Sequence, residues 1–167
     1  RLNLSTQEIN RLIIDQINIL SQIAEKNSMK VTHVKPHGAL NNMACENFEL
    51  AITIAKSIMN SSKDLIFLVP TGSEMENAGK KLGMKVASEI FADRNYEDDG
   101  NLVSRSKNHA LITDPETAKN HVIKMVKNQT LNCYSGKQIP CDIDSICVHG
   151  DGKTAVKTAD EIRKGLI

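Results

Sequence analysis

Short, mostly apolar segments, each followed at once by small or ionisable residues, alternate along this chain with longer stretches of helical apolar spacing. That rhythm constrains the fold more than any other feature. A strand of four to six apolar residues with no polar alternation is buried on both faces, which is the condition of a parallel sheet covered by helices. Ser5 with Glu8 three residues on reads as a capping box. Behind it Ile9, Leu12, Ile13, Ile17, Leu20, Ile23 and Ala24 fall on one helical face ending near Asn27. Val31 to Val34 reads as a strand stopped by Pro36-His37-Gly38. Phe48, Ala51, Ile52, Ala55, Ile58 and Met59 mark the next helix, and Leu65 to Val69 the next strand.

The pattern continues. Ser73 caps a helix running to about Leu82, with Gly83 as its stop. Val86 to Ala92 is a third strand, followed by a polar loop from Asp93 to Arg105 with an Asp98-Asp99-Gly100 turn. Asp114-Pro115 opens a helix whose buried face is Ala118, Val122, Met125 and Val126. Ser145 to Val148 is a last strand, and Ala155, Val156, Ala159, Ile162 and Leu166 line a final helix. No linker divides the chain, so residues 1–167 are expected to form a single domain.

Composition narrows the function classes. Lys+Arg is 21 against Asp+Glu 20, so no charge excess draws in nucleic acid or an anionic membrane. Three Phe, two Tyr and no Trp leave little for base stacking or a carbohydrate platform. No apolar run reaches the length of a membrane span. Cys45, Cys133, Cys141 and Cys147 form no C-x-x-C pair, which fits reduced thiols in a cytoplasmic protein.

Each strand is followed by small and ionisable residues: Lys35-Pro36-His37-Gly38, Thr71-Gly72-Ser73-Glu74, Asp93-Arg94 and His149-Gly150-Asp151. In parallel α/β folds the carboxyl ends of the strands lie on one side, where chemistry is built. His37 and His149 are the acid/base or ligand candidates, each beside a glycine. His33, His109 and His121 read as structural or solvated. Each cluster also has a plainer reading, as a turn, a cap or a local ion pair. Gly152-Lys153-Thr154 ends like a phosphate-binding P-loop, but the first glycine of that motif would stand where Cys147 is.

Val34-Lys35-Pro36-His37-Gly38-Ala39-Leu40 resembles the signature of the LamB/YcsF family, with Asn41 where the family has Tyr. Gly72-Ser73-Glu74 resembles its second motif. Glu89-Ile90-Phe91-Ala92-Asp93-Arg94-Asn95-Tyr96, followed by Asp99-Gly100-Asn101-Leu102-Val103-Ser104-Arg105, is similar to its third, and Ile146-Cys147-Val148-His149-Gly150-Asp151 to its last. The resemblance implies an α/β fold, a deformed (β/α) barrel related to the polysaccharide-deacetylase and glycoside hydrolase type. The family's Asp-rich opening motif and two further His-containing motifs are expected ahead of Arg1, so this chain is expected to carry the C-terminal part of the barrel, with its N-terminal strands missing.

The resemblance further implies the A component of a three-part, ATP-hydrolysing 5-oxoprolinase, opening 5-oxo-L-proline to L-glutamate together with subunits B and C. A five-membered lactam is a poor electrophile, and activation at its amide oxygen with ATP makes it one. Such a site needs cations (Lys35 and Arg94), an acid/base (His37 and His149) and carboxylates to orient water or Mg²⁺ (Glu74, Asp93 and Asp151), with Gly150 and Asp151 toward the nucleotide. Two competing readings are a metal-dependent deacetylase or amidohydrolase working without ATP, and a non-catalytic component that binds 5-oxoproline.

Overall fold

The computed structural model describes residues 3–167. They form two compact units, one running to Ala87 and the other from Ser88 to Ile167, and each is described by itself.

The first unit contains α1 (Thr6–Lys26), β1 (His33–Val34), α2 (Gly38–Glu46), α3 (Phe48–Ser61), β2 (Ile66–Pro70) and α4 (Glu74–Lys81). The capping box forms as expected: Ser5 Oγ accepts the Glu8 N–H at 3.3 Å, and the Ser5 N–H donates to the Glu8 carboxylate at 2.7 Å. β1 and β2 pair in parallel, with His33 opposite Ile66 and Val34 opposite Phe67. The core joins Ile9, Ile13 and Ile17 of α1 to Ile54 and Ile58 of α3 and to Phe67 and Val69 of β2.

Two expectations are corrected in this unit. The apolar face of α1 is narrower than its composition suggests. Only Ile9, Ile13 and Ile17 are buried, while Leu12, Leu20 and Ile23 are 42%, 54% and 53% exposed. One i, i+4 ridge is buried, and Leu12 and Ile23 lie about 80–100° round the helix from it, whereas Leu20 shares its face and is exposed all the same. The Pro36-His37-Gly38 stop also opens a helix, α2, which the sequence pattern hides. Polar Asn41 stands on its buried side with Ala44, so no apolar stripe announces it.

The second unit contains β3 from Ser88 onward (β3 spans Val86–Phe91), α5 (Pro115–Asn128), β4 (Thr130–Asn132), β5 (Gln138–Pro140), β6 (Ser145–Cys147) and α6 (Ala155–Leu166). β3 and β6 pair in parallel, Glu89 opposite Ser145, Ile90 opposite Ile146 and Phe91 opposite Cys147. Ile90, Ala92, Tyr96, Val122, Met125, Leu131 and Ile162 fill the core. The antiparallel β4–β5 hairpin is absent from the sequence reading, because strands of three residues are too short to show alternation. The α6 face also differs. Thr158 and Ile162 are buried, whereas Val156 is 86% and Leu166 44% exposed. Val156 lies half a turn away from Thr158, so the two cannot share a face. All four cysteines are free thiols. Among the described residues no helix is long and apolar enough to cross a membrane.

Candidate active site

The register of β3 and β6 builds the site. Phe91 stands opposite Cys147, so the residues two further along each strand, Asp93 and His149, leave the sheet side by side at its carboxyl end. The ladder continues one step, with the Ala92 N–H donating to the Cys147 carbonyl at 2.9 Å. At the next step the Asp93 side chain replaces the backbone and accepts the His149 N–H at 3.2 Å. The same carboxylate meets His149 Nδ1 at 2.8 and 3.0 Å. A carboxylate only accepts, so Nδ1 carries the proton and Nε2 keeps its lone pair in the neutral ring. The imidazole is stacked on Phe91, with ring centroids 5.8 Å apart and planes at 22°. Tautomer and orientation are therefore both set, which is what a general base requires.

Asp93 and His149 line a cavity of about 260 Å³, together with Arg105, Thr113, Asp151 and Thr154. Small-molecule sites commonly measure ~300–1,000 Å³. This cavity lies just below that range.

Arg94, expected as an anion clamp, is engaged by backbone carbonyls. It is buried, its Nη2 donates to the Val103 carbonyl at 2.7 Å and its Nε to the Ala110 carbonyl at 3.3 Å. Burial, and then the positive charge of Arg105, pull its guanidinium below the usual arginine range. Arg94 holds the neck of its own loop. Asn95 does the same, donating from Nδ2 to the His109 carbonyl at 2.7 Å, and the Ile112 N–H returns to the Asp93 carbonyl at 2.9 Å. Tyr96 braces the strand end, its hydroxyl accepting the Phe91 N–H at 2.7 Å, and burial pushes its phenol far up. His121, stacked on Tyr96 and bonded to the Arg94 backbone, is pulled down to about 4 by burial.

Gly150 and Asp151 follow His149 on an exposed turn. A Cβ at Gly150 would meet nothing within 4 Å, so close approach does not require glycine there. Thr154, the third residue of the P-loop-like Gly152-Lys153-Thr154, donates its hydroxyl to the Thr113 carbonyl at 3.0 Å. Among the described residues no three His, Cys, Asp or Glu gather as a metal set, and Asp93 already has both oxygens against Nδ1. Among the described residues these donors do not by themselves fit a metal ion.

In the first unit, Lys35 is half-buried after β1, and His37 is exposed as the N-cap residue of α2 without a side-chain cap bond. Glu74 sits in the first turn of α4 and accepts from Asn77 at 3.5 Å. The inward carboxylate of that cluster is Glu76, which takes the Gly72 N–H and pairs with Lys80 at 2.7 Å. Ser73 Oγ accepts the Glu76 N–H at 3.3 Å and donates to the Pro70 carbonyl at 2.6 Å, so this cluster works as a helix cap. Phe91 and Arg105 escape a reading by residue type. A ring inside an apolar strand and an arginine in a polar loop carry no local sign of a cavity.

The A component of the 5-oxoprolinase of Clostridium beijerinckii is 46% identical over 165 residues, covering 99% of this chain and 65% of that protein. The corresponding 5-oxoprolinase component of Staphylococcus epidermidis is 42% identical, covering all of this chain and 66% of that protein. The crystal structure of a lactam utilization protein from Thermus thermophilus superposes with a TM-score of 0.89 at 31% identity, covering 99% of this chain and 66% of that one. The fold class is thus α/β with a parallel half-barrel sheet, and the chain spans about two thirds of the length of these relatives. The LamB/YcsF family model matches residues 1–167, and with the four strand-end motifs in their expected order the chain belongs to that family.

Proposed function

We propose that this chain is part of the A component of a 5-oxoprolinase, acting in the cytoplasm with subunits B and C to open 5-oxo-L-proline to L-glutamate. The observation that carries the reading is the Asp93–His149 pair, bonded at 2.8 Å in a cavity of about 260 Å³. The relatives' names supply the reaction, and the pair supplies a group able to perform its proton transfers.

ATP, when bound by the complete assembly, supplies activation of the lactam oxygen. The residues of this chain do the rest. His149 Nε2 takes the proton of the attacking water, Asp93 stabilises the resulting imidazolium, and the same proton is returned to the ring nitrogen as the C–N bond breaks. A second water releases phosphate, so two waters are consumed per turnover. Lys35, His37, Glu74 and Arg94 remain proposed contributors on the family motifs, and Gly150 and Asp151 are proposed to border the nucleotide.

The test is the complete protein mixed with subunits B and C, 5-oxo-L-proline and ATP, with glutamate and ADP both measured. Stoichiometric formation of the two is expected, and both should depend on His149. Release of acetate from an acetylated sugar with a divalent metal and no ATP would favour the deacetylase reading. Full turnover by His149→Ala would leave only a binding role.

A further inference from the structure

We infer that Arg105 holds the anionic group of the substrate beside His149 and so selects lactam acids over neutral lactams. The inference rests on the reading that a 5-oxoproline-type lactam reacts at the Asp93–His149 pair. A lactam acid brings a full negative charge into a cavity already lined by the carboxylates of Asp93 and Asp151. Without a cation the three charges repel one another, and binding is lost to that repulsion. Among the described lining residues Arg105 alone carries a permanent positive charge.

The other cations of this loop are engaged. Arg94 donates to two backbone carbonyls. Lys107 pairs with Glu97 at 2.6 Å. Among the described residues no carboxylate pairs with Arg105. Its backbone is carried by an ordered turn, with the Lys107 N–H donating to the Ser104 carbonyl at 2.9 Å and the Ser104 and Ser106 hydroxyls 2.9 Å apart. A guanidinium presents two parallel N–H groups that match a carboxylate edge, which a lysine cannot do. The same fork accepts a phosphoryl group. The carboxylate is the better match, because it is the charge that the substrate carries before activation.

The experiment is calorimetric binding of 5-oxo-L-proline, its neutral amide and inorganic phosphate to the complete protein and to its Arg105→Ala and Arg105→Lys variants. Wild type is expected to prefer the acid. Arg105→Ala is expected to lose about 10- to 100-fold in affinity for the acid while the amide is unaffected, and Arg105→Lys to recover part of it. Melting temperature, measured alongside, should not move, because Arg105 is exposed. A wild type without preference for the acid, or an Arg105→Ala variant that retains it, overturns the inference. Phosphate affinity lost in Arg105→Ala with the acid-to-amide ratio unchanged also overturns it, in favour of a phosphoryl site. Glutamate formation by wild type is run in parallel. Its absence sinks the reaction reading, whereas a retained acid preference in Arg105→Ala sinks only the arginine assignment.

Discussion

Asp93→Asn separates orientation from packing at the proposed site. The substitution keeps the side-chain volume and changes only what faces His149. In the native protein one carboxylate makes three contacts to that residue, at 2.8 and 3.0 Å to Nδ1 and 3.2 Å to the backbone N–H. An amide has a single acceptor oxygen. If that oxygen faces Nδ1 the tautomer survives, but the charge that stabilises the imidazolium is gone. If the NH₂ faces Nδ1, the ring proton moves to Nε2 and the base is lost. Hydrogen bonds to charged groups contribute about 1.5–3 kcal/mol against about 1 for neutral ones, so the first case alone costs about tenfold. The second removes a positioned base, worth about 10²–10⁴ in rate. The two cases bracket an expected fall in kcat of about 10- to 10⁴-fold. The Asp93 side chain is 19% exposed, so one weakened bond of about 1 kcal/mol should move the melting temperature by only about 2–4 °C. The assay is glutamate release at saturating 5-oxo-L-proline and ATP in the reconstituted complete protein, beside a thermal melt. A kcat within threefold of wild type, at unchanged melting temperature, refutes the assignment of His149 as the base.

Three further outcomes are expected. His121 takes up a proton near pH 4 in the folded protein and at its usual 6.5 when unfolded, so between these values the unfolded chain binds more protons. Its stabilising contribution is complete above about pH 6.5 and is lost as pH falls toward 4, at most about 3 kcal/mol; His121→Phe should flatten that part of the urea-midpoint profile against pH, and an unchanged slope counts against the assignment. Tyr96→Phe removes the hydroxyl that accepts the buried Phe91 N–H and should cost about 1–3 kcal/mol in urea unfolding; an unshifted midpoint contradicts the bracing role. Gly79→Ala puts a Cβ 2.6 Å from Val86 Cγ2 and 3.2 Å from Phe67 Cδ1. Overpacking of about 1–3 kcal/mol should outweigh a helix-propensity gain of about 1, and a more stable variant would show that Val86 yields.

Much of this architecture is legible in the residues, for reasons that differ by element. Caps are local chemistry, so Ser5 with Glu8, Ser73 and Asp114 each mark a helix start that the structure keeps. Buried parallel strands announce themselves as unbroken apolar runs, as Ile66–Pro70 does. α2 and the β4–β5 hairpin stay hidden because one buries an asparagine and the other is too short for any period to emerge. At the site, the pairing of Asp93 with His149 depends on strand register across 56 residues, which no local pattern encodes. The setting of Arg94 is hidden for a related reason. An arginine beside an aspartate at a strand end looks like a clamp, and only the path of the loop reveals the two carbonyls to which it donates.

The closed neck of the loop that begins at Asp93 has a consequence for how such a protein can change over time. Arg94 and Asn95 tie the two ends of the loop together within two residues of the aspartate, while Ser104 and Arg105 lie exposed further along. Substitutions in the outer segment can accumulate without pulling Asp93 away from His149. On the proposed reading, preference for one acid over another can then drift while the Asp93–His149 pair stays where it is, so a single scaffold could be tuned to new lactams by editing a few surface positions.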